Sequence, residues 1–138
     1  MDGTSYHVRP VAQVESTLTD LATAPKQGDE GAPPARVVFD PEFHPAAADL
    51  RPGDRLVLLT WLHAADRKVQ SVHPRGDRDR RREGVFSTRS PDRPNPIGLH
   101  TVTVTAVENG TLTVTGLEAI DGTPVLDVKP VLGQVAER

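Results

Sequence analysis

Two polar, proline-containing segments carry the residue types that suit a small-ligand site. In the first, "STRSPDRPNPIGLH" (87–100), the candidate hydrogen-bonding residues are Arg89, Ser90, Arg93 and Asn95. In the second, "DGTPVLDVKP" (121–130), they are Asp121, Thr123, Asp127 and Lys129. Prolines stiffen both segments, and their glycines allow close backbone approach. Convergence of the two segments at one end of a fold would form a polar ligand site. A plainer interpretation makes Asp121-Gly122 a tight turn and the later charges an exposed strand face.

Other catalytic motifs are missing from the sequence. No Gly-x-Gly-x-x-Gly follows a strand, and no Gly-x-x-x-x-Gly-Lys-Ser/Thr occurs, so dinucleotide-type Rossmann and P-loop sites are unsupported. There is no cysteine, and the five histidines are scattered without metal-ligand spacing, so no metal site is expected. Ser90 lacks the flanking glycines of a nucleophile elbow.

The charge is unevenly distributed along the chain. The formal net charge is −3, yet residues 75–93 hold seven arginines against four acidic residues, a local charge of +3. Such a segment suits a phosphate backbone or a ligand carboxylate. The alternative is a solvated, mobile loop over residues 75–82.

Length and composition indicate an ordinary globular protein. The 138 residues are most simply one domain, 1–138, with 36% apolar and 25% charged residues. No apolar run approaches membrane-spanning length, and the first residues lack the pattern of a signal peptide. The expectation is a cytoplasmic protein with no membrane partner.

The alternation of apolar and polar residues predicts a mainly β protein. Strands are predicted at 6–16 (broken near Pro10), 35–40, 54–63, 84–89 and 123–131, with a loop over 19–34 and one helical turn near 46–50. Seven or so short strands with hairpin connections favour a small closed or half-closed antiparallel β-barrel.

The strongest local signal is a hairpin around Asn109-Gly110. A two-residue turn there would mix apolar and polar residues on both faces. A three-residue loop, Glu108–Gly110, would instead pair Val104 with Val114 and Ala106 with Leu112. Because that register places the apolar residues on one face, the three-residue loop is predicted.

One long stretch of the chain resembles a known family. The stretch "GVFSTRSPDRPNPIGLHTVTVTAVENGTLTVTGLEAIDGTPVLDVKP" (84–130) resembles the core of the TsaA-like (TrmO-type) proteins, and a weaker likeness continues back to Tyr6. Those proteins are S-adenosylmethionine-dependent methyltransferases with a small non-Rossmann β-barrel. They act as homodimers, with the cofactor near the subunit interface. Their activity is N6-methylation of N6-threonylcarbamoyladenosine beside the tRNA anticodon.

The resemblance implies that the two proline-containing segments bind S-adenosylmethionine. The implied cofactor-binding residues are Arg89, Ser90, Arg93, Asn95, Pro96, Ile97, Gly98, Thr123, Leu126 and Lys129. A fork-shaped guanidinium, from Arg89 or Arg93, suits the carboxylate of the methionine end. A carboxylate near the cationic sulfonium would be favourable. The candidates for the base that accepts a proton are Asp121, Asp127 and His63. Trp61 is expected either to stack on a base or to pack in the core.

Several departures from the family pattern concern the side where a methyl acceptor would enter. They are Lys26-Gln27 for Arg-Gln, Arg55-Leu56-Val57 for His-Leu-Trp, and Val131 for a tyrosine. The family core spans 6–131, and the additional C-terminal region of longer members is expected to be absent. Three functions therefore stay open: tRNA methylation, methylation of a small molecule or peptide, and non-catalytic cofactor binding. A small-molecule or peptide acceptor is expected near Arg55, Trp61 and His63.

Overall fold

A computed structural model describes residues 3–19 and 31–133 as a β-rich fold. Its eight strands are β1 Ala12–Glu15, β2 Ala35–Phe39, β3 Arg55–Trp61, β4 Ser71–Val72, β5 Glu83–Gly84, β6 Ile97–Glu108, β7 Thr111–Thr115 and β8 Pro124–Pro130. The helices of this described part are short 3-10 helices, at Pro41–Ala47, Pro74–Gly76 and Val85–Ser87.

Six strands form a closed antiparallel barrel in the order β1-β2-β7-β6-β3-β8, with β8 pairing back onto β1. The two shortest strands, β4 and β5, pair separately. The predicted fold class, a mainly β protein with a small antiparallel barrel, is confirmed, and the barrel is closed. That residues 1–138 form one domain stays a prediction.

Alternation of side chains fills the barrel interior. In β2, Ala35, Val37 and Phe39 are buried while Arg36 points outward, and β3 and β6 alternate in the same way. Successive strand residues face opposite sides of a sheet, so every second residue enters the core. The nearly continuous apolar sequence of β3 predicts burial along its whole length, but only every second residue is buried.

Several predicted elements differ from those in the structure. The strand predicted over 6–16 is shorter, at Ala12–Glu15. Within the strand predicted over 84–89, only Gly84 belongs to a strand, and Val85–Ser87 form a 3-10 helix. The helical turn begins at Pro41, earlier than predicted, because the Asp40 side chain caps it by accepting from the Glu42 N–H at 2.9 Å. Most of the loop predicted over 19–34 lies outside the described residues, as does Lys26-Gln27.

The hairpin has a two-residue turn, so the predicted three-residue loop is wrong. Asn109 and Gly110 both have positive φ, 48° and 72°, as this type of tight turn requires. Val104 still pairs with Val114 as predicted, but Ala106 pairs with Thr113 and not with Leu112. A bulge between Val104 and Ala106 shifts the register by one residue. The bulge therefore keeps Val104 opposite Val114, a pair that a two-residue turn alone would have shifted by one residue.

The two ends of the barrel are distinct. β3 ends at Trp61 where β6 begins at Ile97, and these two residues are paired. β8 also begins at this end, which we call the Trp61 end. β3 begins at Arg55, at the opposite, Arg55 end, roughly 20 Å away at the usual rise per strand residue. Both proline-containing segments lead into strands at the Trp61 end.

Candidate functional site

An arginine outside the predicted site residues holds the first proline-containing segment in place. Arg67 Nε donates to the Pro94 carbonyl at 2.8 Å, and its Nη2 donates to the side-chain oxygen of Asn95 at 3.0 Å. Its guanidinium also lies 5.1 Å from the ring centroid of Trp61. The segment is thereby fixed to the end of β3. Sequence reasoning missed this residue, because one arginine in a polar loop carries no specific signal.

A second arginine stabilises the beginning of the same segment from within. Arg93 Nη1 donates to the carbonyls of Thr88 and Ser90, both at 3.1 Å, and Nη2 donates to the carbonyl of Val85 at 2.5 Å. These bonds use three of the five guanidinium hydrogens. Arg93 therefore shapes the 85–93 loop, and it is a poorer candidate for a ligand carboxylate than the sequence suggested.

Arg89 is the free cation of this loop. It is exposed, and it has no hydrogen-bond or ion-pair partner among residues 3–19 and 31–133. Phe86 is also exposed, at 82%, and the Arg93 guanidinium lies 6.0 Å from its ring centroid. The 85–93 loop therefore offers an exposed aromatic ring for stacking and, in Arg89, an unpaired guanidinium for binding an anion. Sequence reasoning missed Phe86 as well, because a lone aromatic residue is more typical of a core.

The last residues of the first segment are partly buried. Pro96 accepts from the Leu62 N–H at 2.8 Å, and Ile97 begins β6 with its side chain outward. Gly98 is buried against β3, because a Cβ there would contact the hydroxyl of Thr60. Internal packing therefore requires a glycine at position 98, independently of any ligand that binds outside the barrel.

The loop after β3 brings one predicted catalytic residue to the same end. His63 is exposed, lies next to Leu62, and has no partner in the described part of the chain. Trp61 is partly buried under Arg67 and faces outward from the barrel. Arg55 begins β3 at the other end of the barrel. The expectation that Arg55, Trp61 and His63 surround one acceptor pocket is therefore wrong.

The turn that opens the second segment is internally bonded. Asp121 Oδ1 accepts from the Ser16 N–H at 3.0 Å. Thr123 is buried, and its hydroxyl donates to the Ile120 carbonyl at 2.7 Å. Its side chain supports the turn and does not line an open surface. Any contact of Thr123 with a ligand would therefore involve a group other than this hydroxyl.

In the rest of the second segment, Asp127 and Lys129 are about half exposed on the outer face of β8, whereas Val125 is buried and Val128 packs against the core. The register shifts between β3 and β8 at Leu59 and Thr60, leaving Leu126 as an extra residue before Asp127 pairs with Leu59. Asp127 pairs its carboxylate with Lys129 Nζ at 2.9 Å, and both side chains are about half exposed. Asp127 is thus placed beside the outward-facing apolar residues of β3, and Asp121 lies in the turn against the end of β1.

A groove among the described residues lies at the Arg55 end. It has a volume of about 500 Å³ and is lined by residues that include Asp49, Leu50, Arg55 and Pro130. None of the predicted cofactor-binding or catalytic residues lines it. In residues 3–19 and 31–133, no group of three or more His, Asp and Glu side chains is arranged to hold a metal ion. No helix in the described ranges is long and apolar enough to cross a membrane.

Comparison with known proteins gives the same family as the sequence motifs. The model of the tRNA-methyltransferase O N-terminal domain family matches residues 13–136. A probable S-adenosyl-L-methionine-binding protein of Methanothermobacter thermautotrophicus is 42% identical over 131 residues, covering 94% of this chain and 93% of the relative. One of Halobacterium salinarum is 38% identical over 128 residues, covering 91% of this chain and 98% of the relative.

The fold is likewise shared with solved structures. The crystal structure of TrmO from Pseudomonas aeruginosa superposes with a TM-score of 0.75 at 28% identity, covering 98% of this chain. The chain spans only 61% of the length of that TrmO. The chain is therefore a member of a class of proteins built on a closed six-stranded barrel, and a rigid proline-rich loop lies at one end of that barrel. The chain belongs to the family of the tRNA-methyltransferase O N-terminal domain.

Proposed function

We propose that this protein is an S-adenosylmethionine-dependent methyltransferase that N6-methylates N6-threonylcarbamoyladenosine beside the tRNA anticodon. Family membership over residues 13–136, together with relatives named as S-adenosyl-L-methionine-binding proteins, supports the cofactor. The observation that carries the proposal is that Arg89 and Phe86 are both exposed on a loop that hydrogen bonds from Arg67 and Arg93 hold in place.

The groups around this loop fit the chemistry of the cofactor. Arg89 supplies an unpaired guanidinium for a carboxylate, and Phe86 supplies an exposed ring for stacking an adenine. Ser90 and Asn95 add a hydroxyl and an amide for ribose and adenine edges. The bound cofactor supplies an electrophilic methyl group on a sulfonium. Because internal arginine hydrogen bonds and stiff prolines shape the loop in advance, little ordering entropy is lost on binding.

The chain offers three side chains to take the proton of the acceptor nitrogen. Asp121 already accepts a hydrogen bond from the Ser16 N–H, and Asp127 accepts one from the Val128 N–H and forms an ion pair with Lys129. His63 has neither among the described residues, and its neighbour Leu62 is bonded to the first segment through Pro96. We therefore propose His63 as the base. Asp127, on the outer face of β8, is the second candidate.

The basic segment supports tRNA as the acceptor. Arg78, Arg80 and Arg81 are exposed on the excursion between β4 and β5. That excursion is ordered by the side chain of Arg82, whose Nη2 donates to the Ser71 carbonyl at 2.7 Å. Exposed arginines on a loop that hydrogen bonds hold in place are able to bind the phosphates of an anticodon stem.

The proposal includes a cytoplasmic homodimer of one-domain subunits. On the outer face of β3 and β6, the partly buried Leu59 and Trp61 are paired with the exposed Leu99 and Ile97. Ile97 and Leu99 remain 47% and 46% exposed. An apolar sheet face beside the cofactor loop favours a second copy as its cover.

The decisive experiment uses purified protein, labelled S-adenosylmethionine and tRNA from cells that lack this methylation, with cofactor binding measured by calorimetry. Label in N6-threonylcarbamoyladenosine is the expected result. Cofactor binding with label only in a small molecule or peptide would replace the tRNA acceptor. Cofactor binding with no transfer to any acceptor would leave a non-catalytic binding module, and absence of binding would overturn the proposal.

A further inference from the structure

A chain of three hydrogen-bonded polar side chains lies inside the barrel, directly beneath the first segment. His100 Nδ1 lies 2.5 Å from Glu118 Oε1, and His100 Nε2 lies 2.7 Å from Thr60 Oγ1. Thr60 is fully buried, His100 is 5% exposed and the Glu118 side chain is 17% exposed. Polar groups in an otherwise apolar interior are costly unless they are bonded. Here, among the described residues, no buried side-chain donor or acceptor lacks a partner.

The chemistry of the three groups sets the direction of the hydrogen bonds. A carboxylate only accepts, so His100 Nδ1 carries a proton and donates to Glu118. In the neutral imidazole, Nε2 then accepts the hydroxyl proton of Thr60. The network therefore links the Thr60 hydroxyl, the His100 imidazole and the Glu118 carboxylate, with His100 in the middle.

The three residues come from three different parts of the fold. Thr60 lies on β3 and His100 on β6, diagonal to each other across the Thr60–Gly98 and Leu58–His100 pairs. Glu118 lies on the connection from β7 to β8, whose neighbours Leu117 and Ala119 are buried. That connection leads into the second proline-containing segment. His100 thus joins β6, whose first residues end the first segment, to the connection that precedes the second.

The same network supports the backbone of the first segment. A Cβ at Gly98 would contact Thr60 Oγ1, and it would lie 2.7 Å from His100 Nε2 and 3.0 Å from Leu62 Cδ2. The main chain at Gly98 therefore packs directly against the hydrogen-bonded side chains of Thr60 and His100. Two residues earlier, the Pro96 carbonyl is bonded to the Leu62 N–H.

From this geometry we propose that Thr60, His100 and Glu118 are positioning residues that set the affinity for S-adenosylmethionine. They fix the position of residues 96–98 relative to the second segment, 121–130, without contacting the ligand themselves. The inference rests on the proposed function and names the buried residues that control the same site.

The test compares substitutions of Thr60 in the full-length protein. Thr60→Val removes the hydroxyl at nearly constant volume, and Thr60→Ser keeps it. Thr60→Val is expected to raise the Kd for S-adenosylmethionine about tenfold, whereas Thr60→Ser stays within about twofold. Thr115→Val, on the exposed surface of β7, is the matched control and leaves the Kd unchanged.

Two further measurements separate positioning from stability. Val114→Ala, in the core of β7 away from the network, lowers Tm and is expected to leave the Kd unchanged at temperatures well below Tm. In the ligand-free protein, Thr60→Val is expected to shift the amide resonances of Ile97 and Gly98 and of residues 122–125. Should Thr60→Val not fold, Glu118→Gln, which keeps shape and removes charge, is expected to give the same pattern with a smaller change.

The possible outcomes distinguish this inference from the proposed function. An unchanged Kd in Thr60→Val, or in Glu118→Gln if it replaces that variant, would overturn the positioning role while wild-type binding upholds the cofactor. Wild-type protein that binds no S-adenosylmethionine would overturn the proposed function. In that case the amide resonances decide, and unshifted signals in both segments would overturn the positioning role as well.

Discussion

The guanidinium of Arg67 lies over the indole of Trp61, 5.1 Å from the ring centroid, while it donates hydrogen bonds to the Pro94 carbonyl and the Asn95 side chain. The last residue of β3 is thus connected through one side chain to the middle of the first proline-containing segment. The same two regions also meet at the Asp66 N–H, which donates to Asp92 Oδ1 at 2.8 Å. The rigidity of the loop therefore comes from the neighbouring loop as much as from its own prolines.

Removing the Arg67 side chain is expected to loosen the cofactor loop. Arg67→Ala loses two hydrogen bonds and the stacking on Trp61, so the affinity for S-adenosylmethionine is expected to fall by about 1–2 kcal/mol. Arg67→Lys keeps the charge but not the planar fork, and an intermediate loss is expected. Calorimetric titration measures both. Arg55→Ala at the opposite end is the control, and equal affinities in Arg67→Ala and Arg55→Ala would contradict the role.

Alanine substitutions of the two arginines of the first segment are expected to have different effects on stability and cofactor affinity. Arg89→Ala removes an unpaired exposed cation, so cofactor affinity is expected to fall while Tm stays unchanged. Arg93→Ala removes the guanidinium donor from the Thr88 and Ser90 carbonyls and one of three donors from the Val85 carbonyl, so both Tm and affinity are expected to fall. Thermal unfolding and calorimetry on the same samples separate the two. A stable Arg93→Ala protein that binds normally would show that the loop keeps its shape without this side chain.

The sequence predicted the barrel because alternation is a local property that survives folding. Val104 and Val114 could be paired from their spacing about Asn109-Gly110. The turn type could not, because two solutions give that pair: a three-residue loop, or a two-residue turn with a bulge. Choosing between them requires the positive φ of Asn109 and the bulge between Val104 and Ala106. Both depend on the folded backbone.

The candidate site was predictable as two segments but not as a set of contacts. Arg89 and Arg93 have equivalent side chains four residues apart in one segment, yet one is exposed and the other bonds carbonyls up to eight residues away. Thr123 likewise has the residue type of a ligand-binding group and a buried hydroxyl. Composition and spacing give the residues near a ligand, while tertiary contacts decide which of them are free.

A methyl group added at Gly98 is expected to destabilise the fold. The new Cβ of Gly98→Ala would overlap Thr60 Oγ1 and press on His100, so the free energy of unfolding is expected to fall by about 1–3 kcal/mol. Thr60→Ala removes the obstructing hydroxyl, so the double variant is expected to lose less stability than the two single changes added together. Gly84→Ala, whose Cβ would come only within 4.0 Å of the Gln70 carbonyl, is the control. Denaturant unfolding measures all four, and strict additivity would exclude the contact.

The outer face of β3 and β6 is expected to hold the dimer together. A glutamate at Leu99, opposite Leu59, would place a charge in the centre of that face, so Leu99→Glu is expected to convert the dimer into a monomer. Val107→Glu lies on the same strand beyond the bulge, at a residue that is also partly exposed, and is expected to leave the dimer intact. Light scattering over a concentration series measures the mass. A monomeric wild-type protein, or a dimer that persists in Leu99→Glu, would show that this apolar face is not the dimer interface.

The arginines between β4 and β5 are expected to bind tRNA through its phosphates. Removing one arginine from its phosphate should reduce the slope of log affinity against log salt concentration by about 0.7–0.9. Arg78→Glu and Arg81→Glu are therefore expected to weaken tRNA binding and flatten its salt dependence, with no change in affinity for S-adenosylmethionine. Arg55→Glu, also exposed but at the opposite end of the barrel, is the control for net charge. If all three variants weaken tRNA binding equally, the effect follows from overall charge alone. A specific loss at Arg78 and Arg81 locates the anticodon stem on the same end of the molecule as Arg89, where the acceptor nitrogen must meet the cofactor.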